Sequence, residues 1–377
     1  MRVSFRVPPR HVYVHVPFCA RRCSYCDFAI AVRSRVPSDE FVAAIDRELS
    51  VRSLGEPAAV VDTIYLGGGT PSRLGPDGIR RLLDVVAHRF SPTADAEVTI
   101  EANPDDVMEA TVAAWRAAGV NRVSLGVQSF DDRALAWMHR THDSARVVAA
   151  ASALTDGGLD NWSLDLIFAL PAELGRDWSV DVDRAVALMP PHISLYGLTV
   201  ESHTPIARWR DRGMTVEGTE DVYETEYLHA DATLRAAGYD HYEVSNFGRP
   251  GRAARHNRGY WSGASYVGLG PAAHGYDGHT RRWNEREYSA WLARVNAGDD
   301  PLAGSEGLTP ENRAAEEVYL GLRTTDGVPI AAPELFVARQ WVDAGWASLE
   351  GHVLRLTPTG WLRLDALAAS LTAFRSR

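Results

Sequence analysis

From Val12 to Thr199 the chain alternates two patterns. Short apolar runs, each closing on glycine or a polar residue, predict strands at 12–16, 61–66, 97–100, 122–127, 163–168 and 193–198. Longer stretches between them carry apolar residues at helical spacing and predict helices at 39–52, 77–89, 105–118, 143–157 and 177–188. Strand and helix in alternation imply right-handed crossovers and a parallel sheet. A doubly wound sheet gathers its ligand residues at one switch point, whereas a β/α barrel draws them from the carboxyl ends of several strands. Five successive strands here carry a polar candidate at that end, so residues 1–200 are expected to form an α/β fold, an incomplete (β/α)6 barrel.

Beyond residue 200 the rhythm breaks. Residues 218–237 read as a helix, and 241–300 as short strands and loops crowded with His, Arg, Tyr and Trp, giving a mixed α/β extension over 201–304. From Thr309 a small module begins, with helices near 310–322 and 332–344, a hairpin through Leu349-Glu350-Gly351-His352 and a last helix from 358. This pattern resembles a winged helix, expected over 305–377. Seven Arg against nine acids in that span leave no basic face, so the module is expected to support or dock rather than to bind DNA.

The charge balance, 39 − 49 = −10, argues against nucleic-acid or anionic-membrane binding. Every one of the 39 cations is arginine, which excludes chemistries that need a lysine: phosphate-loop, Schiff-base or kinase type. The first residues lack the apolar core and cleavage site of a signal peptide, and the apolar runs at 185–200 and 259–276 are interrupted by Pro, Gly or Ser. A soluble, cytoplasmic protein without a transmembrane segment is the expectation.

Three cysteines, Cys19, Cys23 and Cys26, fall within eight residues, and there are no others. A disulfide framework would spread an even number along the chain, so the clustering points to a metal or cluster site. Arg21 and Arg22 lie between them and would favour thiolates. Three thiolates can hold an iron–sulfur cube and leave one iron open; a zinc ion with His15 or another residue as fourth ligand is the rival reading.

The C-x3-C-x2-C spacing, with Tyr25 before the last cysteine, resembles the radical S-adenosylmethionine (SAM) superfamily. The likeness continues through Gly67-Gly68-Gly69-Thr70-Pro71, Ser124–Phe130, Asp165–Pro171, Tyr242–Phe247 and His256-Asn257-Arg258-Gly259-Tyr260-Trp261. That combination is similar to the oxygen-independent coproporphyrinogen III oxidase group and, within it, to the HemW heme-chaperone branch. The resemblance implies a [4Fe–4S] cluster on Cys19, Cys23 and Cys26 with SAM on the open iron. It further implies SAM contacts from Tyr13, Gly68, Gly69, Thr70, Glu101, Gln128, Arg140 and Asp165. Glycine lets backbone approach the methionine end closely, Arg140 offers a fork for its carboxylate, and the acids and amide suit its amino group or ribose. Cleavage of bound SAM would give a 5′-deoxyadenosyl radical.

Two departures bear on activity. The oxidases carry a further cysteine two residues after the third, where this chain has Phe28, and an extension ahead of the barrel, whereas here the first strand begins at about residue 12. Both turn the expectation from decarboxylation toward heme binding and transfer to acceptor proteins, respiratory enzymes among them, with oxidative decarboxylation of coproporphyrinogen as the alternative. Whether the chain is an enzyme is left open, and a homodimer is compatible with the reading. Between 241 and 288, seven Arg (249, 252, 255, 258, 281, 282, 286) face four acids, a local excess suited to porphyrin propionates. His256 is the expected axial ligand, with Asn257 beside it and Tyr260 and Trp261 as flat surface; His241, His274 and His279 are rivals.

Overall fold

The computed structural model describes residues 8–52 and 59–376. Six parallel strands follow one another in chain order: β1 (His11–Val16), β2 (Ala59–Gly68), β3 (Phe90–Ala102), β4 (Arg122–Gln128), β5 (Trp162–Phe168) and β6 (His192–Gly197). Their side chains are buried on both faces, since one looks into the barrel and the other is covered by helices. The covering helices are α1 (Ser38–Arg52), α2 (Gly75–Arg89), α3 (Glu109–Ala117), α4 (Ser144–Asp156) and α5 (Trp178–Ala187). Each lies close to its expected span. Only α3 starts late, because Pro104–Asp106 forms a 3-10 turn that closes before the helix begins.

Residues 201–304 do not build a layer of their own. After α6 (Glu220–Ala236), β7 (Asp240–Glu243) and β8 (Asn246–Gly248) extend the sheet beyond β6. The chain then crosses to the other edge, where β9 (Tyr266–Leu269) pairs parallel with β1. Antiparallel strands β10 (His274–Tyr276), β11 (Thr280–Asn284) and β12 (Leu302–Gly307) follow. The result is one twelve-stranded mixed sheet, β12-β11-β10-β9-β1-β2-β3-β4-β5-β6-β8-β7, an incomplete barrel with free edges. Tyr227, Phe247, Val267 and Trp291 share the barrel core, Trp291 from α8 (Tyr288–Asn296), which follows α7 (Arg255–Trp261) in the chain. A buried knot fastens the extension to α1: Glu48 accepts from the Gly270 N–H, the Asn284 amide and the Trp291 indole at 2.8–2.9 Å and pairs with Arg52 at 2.8 Å.

The last module has its own core, centred on Val318, Leu322, Trp341, Leu354, Trp361 and Leu371. Helices α9 (Pro310–Arg323), α10 (Leu335–Asp343) and α11 (Leu364–Arg375) pack on a three-stranded sheet of Val328–Pro329, Ala347–Glu350 and Val353–Leu356, a winged-helix-like arrangement. No helix among the described residues is long and apolar enough to cross a membrane.

Candidate functional site

The cysteine loop leaves β1 through Pro17 and is held at several points. Ser24 N–H donates to Met138 O at 3.1 Å, and Ile206 N–H to Ser24 O at 2.9 Å. Cys19 Sγ lies 3.4 Å from Thr70 Oγ1, and Arg140 Nη1 reaches Cys23 Sγ at 3.5 Å. The guanidinium beside the thiols is therefore that of Arg140. Arg21, expected in that role, turns away to the carbonyls of His139 and Arg140, and Arg22 reaches Cys26 O at 3.5 Å. Burial raises Cys19 and pushes the Cys26 thiol up to about 11. A cationic cluster is the partner that lets such buried sulfurs ionise.

Among the described residues, no three His, Cys, Asp or Glu side chains are gathered to hold one metal ion. His15, the expected fourth zinc ligand, is engaged elsewhere: its ring nitrogens meet the Tyr13 hydroxyl at 3.1 Å and Ala29 O at 2.8 Å.

Above the loop, candidates line up along the strands. Pairing places Tyr13 beside Tyr65, Glu101 beside Ser124, and Gly126 beside Asp165. Gly68 has φ +111°, and a Cβ on Gly69 would lie 2.7 Å from the Pro17 carbonyl, so this turn admits only glycine. Glu101 accepts from Gly68 N–H at 2.9 Å and from the Tyr65 hydroxyl at 2.8 Å, yet burial pushes its carboxyl up to about 7. Asp165, also raised by burial, accepts from Ser124 Oγ at 2.8 Å. Gln128 is buried with φ 72° where the β4–β5 ladder shifts register. Arg140 donates to Asn103 Oδ1 at 2.6 Å and Gly126 O at 2.8 Å, while its buried Nε has no partner. Carboxylate acceptors beside an orphaned guanidinium N–H fit an amino-acid ligand.

The His256 stretch is a helix, α7 (Arg255–Trp261), rather than a loop. Its start is capped from far along the chain: Glu97 accepts from Arg255 N–H at 3.0 Å and His256 N–H at 3.1 Å, satisfying donors that a helix end leaves open. His256 is fully buried beneath the candidate row. Its Nδ1 lies 2.6 Å from Thr63 Oγ1 and its Nε2 2.8 Å from the Tyr260 hydroxyl. Both of its ring nitrogens are thus hydrogen-bonded to hydroxyls in this structure. Asn257 is half-buried and stands outside the cavity described next.

A cavity of about 750 Å³ runs from Tyr13, Gly68 and Glu101, past Asp27 and Phe28 of the cysteine loop, to Tyr260 and Trp261 of α7. Its far wall is His274, Tyr276 and Arg281 with Arg313 and Glu316 of α9. It joins the SAM candidates to Tyr260 and Trp261. Of the seven arginines counted in the extension, only Arg281 and Arg286 reach it. Arg255, Arg258 and Arg282 pair with Asp95, Asp326 and Asp300, and Arg249 and Arg252 line a smaller cavity elsewhere. His241 is also removed from it, bonded to Asp231 at 2.8 Å, and His279 faces Arg313. Sequence reasoning missed Tyr65, Asn103 and His142 behind the strand row, and Arg313 and Glu316, which come from a different domain. Asn103 alone carried a signal, at the end of a strand.

The radical SAM superfamily profile matches residues 13–185, and that of the HemN C-terminal domain residues 308–363. Over the whole length the chain is 40% identical to the heme chaperone HemW of Mycobacterium tuberculosis, across 96% of this chain and 95% of that one. The chain belongs to the HemW family. It is 37% identical to HemW of Synechocystis over 87% of its length (81% of the relative) and 33% identical to HemW of Bacillus subtilis over 85% (84% of the relative). Coproporphyrinogen III oxidase (HemN) of Escherichia coli superposes with a TM-score of 0.81 over 98% of this chain and 91% of that one, at 22% identity. That likeness establishes the fold: a radical SAM α/β barrel with a HemN-type C-terminal domain. Membership in the radical SAM superfamily implies a [4Fe–4S] cluster and SAM, and in this HemW-family chain the buried Cys19 and half-buried Cys23 and Cys26, the glycine turn and the orphaned Arg140 Nε fit that pair.

Proposed function

We propose that the chain is a cytoplasmic heme chaperone, which binds heme and passes it to acceptor proteins, respiratory enzymes among them. The observation that carries this reading is the cavity: about 750 Å³, within the range of cofactor pockets, with Tyr260, Trp261, Tyr266 and Tyr276 on its walls and arginines toward its far side. Cys19, Cys23 and Cys26 are proposed to hold the cluster. Tyr13, Gly68, Gly69, Thr70, Glu101, Gln128, Arg140 and Asp165 are proposed to surround an exchangeable SAM. Bound together, cluster and SAM supply one-electron chemistry. The chain's own part is placement: Gly68 and Gly69 admit close backbone approach, Glu101 and Asp165 offer acceptors, and Tyr13 and Tyr65 shut water out from below.

The HemN-like fold favours a second reading, oxidative decarboxylation of a porphyrinogen. Against it, Phe28 stands where the oxidases have a further cysteine and is 66% exposed at the cavity. The test is anaerobic reconstitution followed by heme titration, transfer to an apo-acceptor and a coproporphyrinogen assay on one sample. Saturable heme binding and transfer without vinyl product is expected. Vinyl product would establish the second reading, and colourless protein holding zinc without sulfide would overturn both.

A further inference from the structure

The His256 ring is held from two sides. On one side its Nε2 meets the hydroxyl of Tyr260, a residue of the cavity wall, so the imidazole stands one hydroxyl away from the cavity. On the other its Nδ1 meets Thr63 Oγ1 at 2.6 Å, and the same oxygen meets His11 Nδ1 at 2.9 Å. Thr63 and His11 are neighbours across the β1–β2 ladder, and neither lines the cavity. All three side chains are buried. The His11 ring stands edge-on to His256, with 5.8 Å between centroids and 83° between planes. It lies directly under α7, where a Cβ on Gly259 would strike it.

Proton counting ties these groups together. Burial holds both imidazoles below their ordinary value, so each ring carries a single proton at neutral pH. Thr63 has one hydroxyl proton and two ring nitrogens beside it. It therefore donates to one Nδ1 and accepts from the other, and the two tautomers are set jointly. A histidine that binds a metal through one ring nitrogen keeps its proton on the other, against an acceptor that fixes the ring. For Nε2, the nitrogen on the cavity side, to bind, that proton must sit on Nδ1.

We propose that Thr63 and His11 are positioning residues for His256 as the axial ligand to heme iron. The His256 Nδ1–H donates to Thr63 Oγ1, the Thr63 hydroxyl donates to His11 Nδ1, and Nε2 keeps its lone pair on the side of Tyr260. Iron takes that lone pair when the Tyr260 hydroxyl gives it up. This rests on the heme-binding reading and adds two residues from outside α7.

The test is titration of the cluster-loaded full chain with heme, followed by resonance Raman spectroscopy of the ferrous complex. The iron–histidine stretching band falls in frequency when the Nδ1 proton loses its acceptor, because the imidazole becomes a weaker base. Thr63→Val keeps the side-chain shape and removes the hydroxyl. It is expected to weaken heme binding about tenfold and to lower the band, and Thr63→Ser to restore both. His11→Phe, a second and independent variant, is expected to give a smaller shift of the same sign, since the Thr63 hydroxyl remains. His256→Ala is expected to lose the band. Parent affinity and band in a cluster-loaded Thr63→Val overturns the proposal while heme binding stands. Weaker binding with an unshifted band overturns it too, because a purely structural role gives that result. Absence of saturable binding in the parent chain is the separate failure of the heme reading, and takes this proposal with it.

Discussion

The imidazole of His256 stacks on the ring of Tyr65, with 5.0 Å between centroids and 29° between planes. The Tyr65 hydroxyl in turn donates to Glu101 at 2.8 Å. Tyr65 thus links the signature helix to Glu101 through one ring stack and one hydrogen bond. His256→Ala would open a cavity, leave the Tyr260 hydroxyl without this partner and leave Thr63 bonded to His11 alone. A loss of about 2–4 kcal/mol is expected, read as a lower urea midpoint. Tyr65→Phe keeps the stack and removes one donor, so about 1–2 kcal/mol is expected. A His256→Ala variant as stable as the parent would contradict the buried placement.

Acid should destabilise the fold through its buried histidines. Burial holds His256 and His192 well below the ordinary value and brings His142 down to about 4. In the unfolded chain the same groups protonate near pH 6.5. Their contribution is therefore intact above about pH 6.5 and lost as pH falls toward 4. Urea midpoints at a series of pH values should drop steadily across that window; a flat profile would mean the rings are solvated.

The glycine turn offers a graded comparison. Gly69→Ala drives a Cβ to 2.7 Å from the Pro17 carbonyl, at the root of the cysteine loop. About 1–3 kcal/mol of strain is expected, together with fewer iron and sulfide atoms per chain after reconstitution. Gly75→Ala instead meets positive φ, +74°, with open space around it. About 1 kcal/mol is expected there, with full cluster content. Equal cluster loading in both variants would separate the turn from the loop.

The two cores are joined by a charged contact. Arg323 of α9 lies over the Trp261 ring at 4.1 Å and pairs at 3.2 Å with Glu243, which is fully buried. Arg323→Ala strands that carboxylate, and about 3–5 kcal/mol is expected. The Arg323→Ala/Glu243→Gln double variant should recover part of it. Additive effects would show the pair to be independent.

Much of this molecule was legible in its sequence. Apolar runs closed by glycine or polar residues specified five of the six parallel strands to within two residues and only the carboxyl part of the third, which runs Phe90–Ala102 against 97–100 expected. The cysteine spacing and the glycine turn specified chemistry equally locally. The roles around His256 were not legible. Its helix depends on capping by Glu97, more than 150 residues away, and its ring is buried by contacts from β1 and β2. Arginine counts misled for a related reason: neighbours in sequence on short strands and turns point in different directions, and most met a carboxylate elsewhere.

The sequence by itself determined the barrel, the cysteine loop and the family, since periodicity and motif spacing are properties of contiguous residues. Where the His256 ring is buried, which arginines meet a carboxylate, and how the C-terminal domain closes the far wall were decided only by tertiary structure. Those features depend on burial and hydrogen-bond satisfaction, and both are set by groups that the chain brings together from distant positions.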